Sequence, residues 1–392
     1  MNQALRLLGG LTPEHFMREY WQKKPLLVRG AVSGFSDPLS PEELAGLACE
    51  DHVEARLILE SGGAKPWEVR HGPFEERDFL HLPASHWTLL VQDVEKQIPD
   101  LADVLDPFRF VPDWRIDDLM ISYAPADGSV GPHFDAYDVF LLQGMGRRRW
   151  RISTKFVVPE NVLANAELRI MRDFEAEQEW VLEQGDMLYL PPNIAHHGVA
   201  LEPCMTYSIG FRAPTFRDIV SGFSQFLLED VDSDDRYSDR AFALQDNPGE
   251  ISAQALHTIK YIVRENLVTN DDLIESWFGR FITEPKPQFN AEPGARPLLD
   301  VNLLAHLNAG GVLERNPGSR FAYVHHKSGE SALFVDGQEF VLGPNVAFLA
   351  PLVCRHRVLD RRTLQPALDQ PDSLQLILDL TNAGYLVIYE DD

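Results

Sequence analysis

The chain is short of cysteine, of bases and of long apolar runs, and each shortage excludes something. Its 392 residues include three cysteines, Cys49, Cys204 and Cys354. They are odd in number and far apart, so no disulfide framework or zinc motif follows, and a reducing compartment is expected. No stretch approaches the ~20 apolar residues that a membrane helix needs. The start, Met1-Asn-Gln-Ala-Leu-Arg6, lacks the basic residues and apolar core of a signal peptide. A cytoplasmic protein with no membrane partner is expected. Lysine and arginine number 35 against 60 acids, a formal net charge of −25. Such a surface repels phosphate backbones and favours basic partners, which argues against direct nucleic-acid binding. The length suffices for two or three domains with a sizeable core.

What the chain does have is histidine placed beside carboxylate, in Gly131-Pro-His-Phe-Asp135. On a strand, positions i and i+2 share a face, so His133 and Asp135 are expected to point together above a sheet. Downstream, Gly185-Asp-Met-Leu-Tyr-Leu-Pro-Pro-Asn-Ile-Ala-His-His-Gly198 offers a third ligand, His196 or His197. Two imidazoles and one carboxylate on one side of a metal leave positions open, the arrangement of non-haem Fe(II) oxygenases. A bare His-x-Asp is common by chance; the later Gly-Asp and proline turn give it weight. The second stretch fits a cupin spacing, with Gly185, Pro191, Asn193 and His196 in the key places. Asn193 stands where glycine is usual, and asparagine tolerates the left-handed turn conformation. The spacing selects His196 and leaves His197 as a neighbour or surface residue.

An arginine supplies the next clue. Tyr137 to Gln143 reads as a buried strand, Gly144-Met-Gly146 as a turn, and Arg147-Arg-Arg-Trp-Arg-Ile152 as the returning strand. Alternation puts Arg148 on one face with Trp150 and Ile152. It leaves Arg147, Arg149 and Arg151 on a solvated face. A buried guanidinium needs an anion, and its planar fork suits a carboxylate. An iron triad beside such an arginine implies 2-oxoglutarate as co-substrate, with dioxygen as the oxidant.

These segments, together with Pro112 to Ser122 and Tyr207-Ser-Ile-Gly-Phe-Arg-Ala-Pro214, resemble the JmjC-type ribosomal oxygenases. The resemblance is nearest to the bacterial large-subunit ribosomal protein arginine hydroxylases. It is dense over residues 10 to 230 and looser beyond. It implies that His133, Asp135 and His196 hold Fe(II). It implies that Arg148 grips the far carboxylate of 2-oxoglutarate, helped by the hydroxyl of Ser122. It implies hydroxylation at C3 of an arginyl residue in a basic ribosomal protein, and a homodimer. For such a substrate the pocket needs anions or aromatics near the guanidinium. Asp117, Asp118 and Tyr137 are nominated for that role.

The expected fold class is α+β, in three parts. Residues 1–213 form a catalytic double-stranded β-helix, the cupin or JmjC jelly roll, fronted by helices. Thr12 caps its first helix, with Pro13 in the first turn. Residues 214–288 change to helical period: Phe216, Ile219, Val220, Phe223, Phe226 and Leu227 share a stripe. Further helices fit Ala253 to Leu267 and Asp271 to Ile282. An acidic loop from Asp230 to Tyr237 reads as a solvated turn. Three such helices rarely enclose all their apolar surface, so this region is the expected dimerisation element. Residues 289–392 read as helices with a β-hairpin turning at Asp336-Gly337, a winged-helix-like domain. That domain holds 8 Lys and Arg against 13 Asp and Glu, so it is not expected to bind DNA. Its His325, His326 and His356 lack a carboxylate at metal spacing.

The expected function is therefore an Fe(II)- and 2-oxoglutarate-dependent protein hydroxylase. A histidyl hydroxylase or demethylase shares every iron ligand. A non-oxidative cupin would not need Arg148. A binding module would tolerate loss of His133.

Overall fold

The computed structural model describes residues 3–60, 67–155, 161–163, 169–229, 236–238, 251–267, 271–294 and 296–388. The chain divides into two compact units, Met1–Ala213 and Pro214–Asp392. Among its described residues the first has four short α-helices: α1 Pro13–Glu19, α2 Pro41–Leu47, α3 Glu76–Leu80 and α4 Val94–Gln97. Sequence-coded caps start two of them. Thr12 Oγ1 accepts from His15 N before α1, and Ser40 with Glu43 forms a capping box before α2. A proline occupies the first turn of each, where no backbone donor is needed.

The described residues of this unit form eleven strands, in order: β1 Leu26–Val28, β2 Ala55–Glu60, β3 Trp67–His71, β4 Trp87–Val91, β5 Ile116–Ala124, β6 Val139–Gln143, β7 Arg148–Ser153, β8 Gln178–Leu182, β9 Met187–Leu190, β10 Ala195–Ala200 and β11 Cys204–Phe211. They build an eight-stranded sheet, β1-β9-β6-β11-β5-β4-β2-β3, and a three-stranded sheet, β10-β7-β8. This is the expected jelly roll. Two apolar layers hold it, and alternation assigns residues between them. On β6, Phe140 and Leu142 join the large core with Phe16 and Tyr189, while Val139 and Leu141 join Trp150, Ile152 and Leu182. Such strands are buried on both faces, which is why β6 and β9 read as unbroken apolar runs. Truncating fully buried Phe140 to alanine is expected to cost ~3–5 kcal/mol.

One expectation differs. His133 and Asp135 do not lie on a regular strand. His133 makes an isolated bridge to His196, Asp135 sits in the following loop, and β6 starts only at Val139. Pro132 lacks a ladder donor and Gly131 has a positive φ of 81°, so the chain turns here instead of extending.

The second unit contains α5 Phe216–Glu229, α6 Ala253–Asn266, α7 Asp271–Thr283 and α8 Asp300–Asn308. There follow β12 Leu313–Arg315, β13 Phe321–His325, β14 Ser331–Val335, β15 Gln338–Leu342, α9 Leu349–Arg355, β16 Val358–Leu359, α10 Arg361–Leu368, α11 Pro371–Asn382 and β17 Leu386–Val387. The hairpin β14–β15 turns at Asp336 and Gly337, whose φ angles of 47° and 77° are those of the favoured hairpin turn. The sequence reading groups α7 with the helices before it. In the structure α7 reaches both ways: Trp277 packs on Phe223 of α5 (ring centroids 5.2 Å), and Thr283 Oγ1 accepts from Gly337 N at 3.2 Å. No residue of α6 is buried. Phe216 is 88 % exposed, whereas Phe223 and Phe226 stack on each other. The acidic loop lies outside the described residues, apart from 236–238.

Candidate active site

A cavity of about 580 Å3 is lined from both sheets of the first unit. Its floor follows from strand register. Across the β5–β11 ladder, Ser122 faces Thr206, Met120 faces Ser208, and Asp118 faces Gly210. All six line the cavity, because alternate residues of a strand share a face. From the smaller sheet come Arg148 and Trp150 of β7 and His196 of β10.

His133 and His196 exchange both backbone hydrogen bonds, at 3.0 and 2.8 Å. Each ring is then fixed by its own turn. Nδ1 of His133 lies 2.9 Å from the Gly131 carbonyl, and Nδ1 of His196 lies 2.9 Å from the Ile194 carbonyl. A carbonyl only accepts, so both Nδ1 atoms carry a proton, and Nε2 is the atom each ring leaves for a metal. Asp135 completes the group: its carboxylate is 3.6 Å from His196 Nε2, and its carbonyl accepts from Asn193 N at 2.7 Å. Asn193 has the left-handed φ, 64°, that the sequence spacing demanded. Ligand atoms of His133, Asp135 and His196 lie within 4.8 Å of one another, the one such group among the described residues. Burial, then the neighbouring His133, lowers the pKa of His196 to about 4. It is neutral at physiological pH, as a metal ligand must be.

His197 points to the other face of β10. Arg151 Nη2 donates to its Nδ1 at 2.9 Å, so its Nε2 proton faces Ser129 Oγ at 3.0 Å. Burial, then Arg151, lowers its pKa to about 4 as well. It is a neutral bridge between loop and strand.

Arg148 is 2 % exposed and lines the cavity, on the face that alternation assigned. Its Nη2 donates to Gly198 O at 3.3 Å, while Nε and Nη1 have no hydrogen-bond partner among the described residues. Burial lowers its pKa below the ordinary guanidinium value. A buried cation with unpaired donors aimed into a cavity is a receptor for an anion. The solvated face expected for its neighbours is only partly observed. Arg147 is exposed and pairs with Glu202 at 3.0 Å, but Arg149 and Arg151 are half-buried. β7 is the central strand of its sheet, so long side chains on that face are covered by β8 and β10.

Asp117, Asp118 and Tyr137 all line the cavity. Asp118 is buried and Tyr137 half-open at the mouth. Burial, then Asp135 and Asp118, holds the Tyr137 phenol well above its usual pKa, so it stays neutral. The sequence reading missed Arg56, Gln92, Thr206 and Ser208. Arg56 Nη2 donates to Gln92 Oε1 at 3.3 Å, and Gln92 Nε2 donates to Asp118 Oδ2 at 3.5 Å. Thr206-x-Ser208-x-Gly210, small and polar inside an apolar run, was the available signal for a cavity wall.

A JmjC domain model matches residues 103–219, and a ROXA-like winged-helix model matches residues 264–387. The chain is 37 % identical over 370 residues to the ribosomal protein uL16 3-hydroxylase of Escherichia coli, covering 94 % of this chain and 96 % of that one. It is 36 % identical over 266 residues to a probable ribosomal oxygenase of Haemophilus influenzae, covering 67 % and 65 %. The E. coli ribosomal oxygenase YcfD in complex with cobalt and 2-oxoglutarate superposes with a TM-score of 0.78 at 35 % identity, covering 96 % of this chain and 98 % of that one. Its complex with cobalt and succinic acid gives 0.77 over the same shares.

Proposed function

The chain belongs to the JmjC-type ribosomal oxygenases, and on that premise we propose that it hydroxylates C3 of an arginyl residue in a large-subunit ribosomal protein. It is a 2-oxoglutarate-dependent dioxygenase. The observation that carries the residue assignment is the pairing of two features in one cavity: the His133, Asp135 and His196 donor set, and the unpaired guanidinium of Arg148.

The residues fit the cofactors. Two imidazoles offering Nε2 and one carboxylate are the donor set that suits Fe(II) with open positions. Arg148 would take the far carboxylate of 2-oxoglutarate through Nε and Nη1, with the Ser122 and Thr206 hydroxyls facing the same cavity. Bound iron, with 2-oxoglutarate and dioxygen, supplies the power to convert C–H into C–OH while releasing succinate and carbon dioxide. The chain's own residues bind and orient. Gly131 and Ile194 carbonyls lock the two ligand tautomers. Trp150 and Leu141 keep water from the buried end. Asp118 would pair with the target guanidinium, and the neutral ring of Tyr137 at the mouth would cover its apolar stem.

E. coli uL16 hydroxylase is named for a ribosomal protein substrate. A chain of net charge −25 suits a free basic protein better than one already wrapped in RNA. No helix among the described residues is long and apolar enough to cross a membrane, which agrees with work in the cytoplasm. The apolar exposure of Phe216, Val220, Leu256 and Ile259 supports a homodimer through α5 and α6. The test is whether 2-oxoglutarate is turned over to succinate only when both Fe(II) and a uL16 peptide are present. Equal turnover without the metal, or of no arginyl peptide at all, removes the proposal.

A further inference from the structure

Strand β5 outruns its neighbour on one side. β4 pairs with it from Leu89↔Tyr123 to Val91↔Ile121 and then ends. Among the described residues, no strand pairs with Asp117, Asp118 and Leu119 on that side. On the other side the ladder to β11 shifts register at this place: Gly210 pairs with Asp118, but Phe211 pairs with Ile116, leaving Asp117 as the extra residue. Bulges weaken a ladder, and a one-residue slip sends a side chain to the opposite face. The residue at risk is Asp118, whose carboxylate must face the cavity.

Helix α4 supplies what the missing strand does not. Leu119 N donates to Glu95 Oε2 at 2.9 Å, and Lys96 Nζ donates to Asp117 O at 3.2 Å. These two bonds bracket Asp118. Glu95 and Lys96 are 7 % and 6 % exposed, and Asp93, the ion-pair partner of Lys96, is equally enclosed. Burying charged groups is costly, and apolar side chains would fill this space more cheaply. Apolar side chains could not, however, satisfy Leu119 N and Asp117 O. The opposing Gly210 adds room: a Cβ there would come within 3.2 Å of Asp118 Oδ1.

We infer that Glu95 and Lys96 are positioning residues for Asp118, and that through it they set selectivity for a cationic target side chain over a neutral one of the same shape. This rests on the proposed pairing of Asp118 with the target guanidinium. Neither residue lines the cavity, so neither touches substrate.

The experiment compares a uL16-derived arginyl peptide with its citrulline counterpart, binding anaerobically to enzyme loaded with Fe(II) and 2-oxoglutarate. The two peptides differ in charge and hardly in shape. Glu95→Ala and Lys96→Met should each shrink the arginine preference about tenfold, the loss expected when a buried backbone group is left unpaired. Glu95→Gln keeps an acceptor for Leu119 N and should retain the preference. The 2-oxoglutarate KM should hold in all three. Damage to the fold would instead weaken both peptides alike and raise that KM, which would overturn the inference. So would a wild-type preference in Glu95→Ala and Lys96→Met while Asp118→Asn loses it. If Asp118→Asn itself keeps the preference, the role of Asp118 fails, and the inference with it.

Discussion

Replacing Arg148 by methionine should separate co-substrate binding from folding. Methionine keeps most of the side-chain length and removes the charge. In the folded chain Arg148 is almost fully enclosed, with one weak carbonyl partner at 3.3 Å and two unpaired nitrogens. Its desolvation is therefore poorly compensated until an anion arrives. Exchanging a buried ion for an apolar side chain of similar volume is often neutral or stabilising. The melting temperature of Arg148→Met should equal or exceed that of the parent without co-substrate. With 2-oxoglutarate the balance reverses. Loss of one partner of a buried charge pair costs ~3–5 kcal/mol, roughly a hundredfold to several thousandfold in affinity. Calorimetric titration of the metal-loaded protein and the KM for 2-oxoglutarate both read this. Arg149→Ala, on the opposite face of β7, should change neither by more than severalfold. Equal losses from the two substitutions, or 2-oxoglutarate binding preserved in Arg148→Met, would refute the argument.

Other consequences are independent of that one. His196→Ala should abolish binding of one divalent metal measured by calorimetry, as should Asp135→Ala, whereas His197→Ala should retain it; the reverse pattern would move the third ligand by one residue. Gly198→Ala should weaken 2-oxoglutarate binding without touching the metal, because a Cβ would stand 2.7 Å from the Trp150 ring and 2.8 Å from Arg148 Nε; unchanged affinity would mean that the wall yields freely. Burial raises the Glu95 carboxyl from 4.5 to about 7, so the folded chain holds this proton more tightly than the unfolded one. That contribution to stability is complete below about pH 4.5 and is lost as the pH rises through about 7. Glu95→Gln cannot ionise and should gain in melting temperature relative to the parent across that window; a constant difference contradicts it. Light scattering should give about twice the 44.4 kDa chain mass, and Phe216→Glu with Val220→Glu should lower it to the monomer; a monomeric parent removes the dimer proposal.

The grouping of the candidate metal ligands was legible because it depends on short-range spacing. His133 and Asp135 follow the turn at Gly131, and His196 lies at the start of β10 just after the turn at Asn193; those turn residues are visible one at a time. Arg148 was legible because period-two alternation in a central strand is strict. The strand expected through His133 is replaced by an isolated bridge, because alternation does not carry across Pro132, where the chain turns. The wall was harder to read. Arg56, Gln92, Thr206 and Ser208 come from segments distant in sequence, and a polar residue facing a cavity looks like one facing water. Glu95 and Lys96 were invisible for a further reason: acidic and basic residues on a short helix are normally solvated, and their burial depends on where β4 happens to stop. In the second unit Asp336-Gly337 announced its hairpin, while the double allegiance of α7 rests on Trp277 and Gly279, whose partners lie far away in sequence.

On the proposed function, this cavity inserts one atom of dioxygen into an arginyl side chain. Mass spectrometry of a uL16 arginyl peptide, incubated with enzyme, Fe(II) and 2-oxoglutarate under labelled dioxygen, reads it directly. The arginyl residue should gain a single labelled oxygen at C3, matched by one succinate formed per peptide, and both should be lost in Asp135→Ala. An unmodified arginine, an oxygen drawn from water, or a product that has lost a methyl group would contradict it.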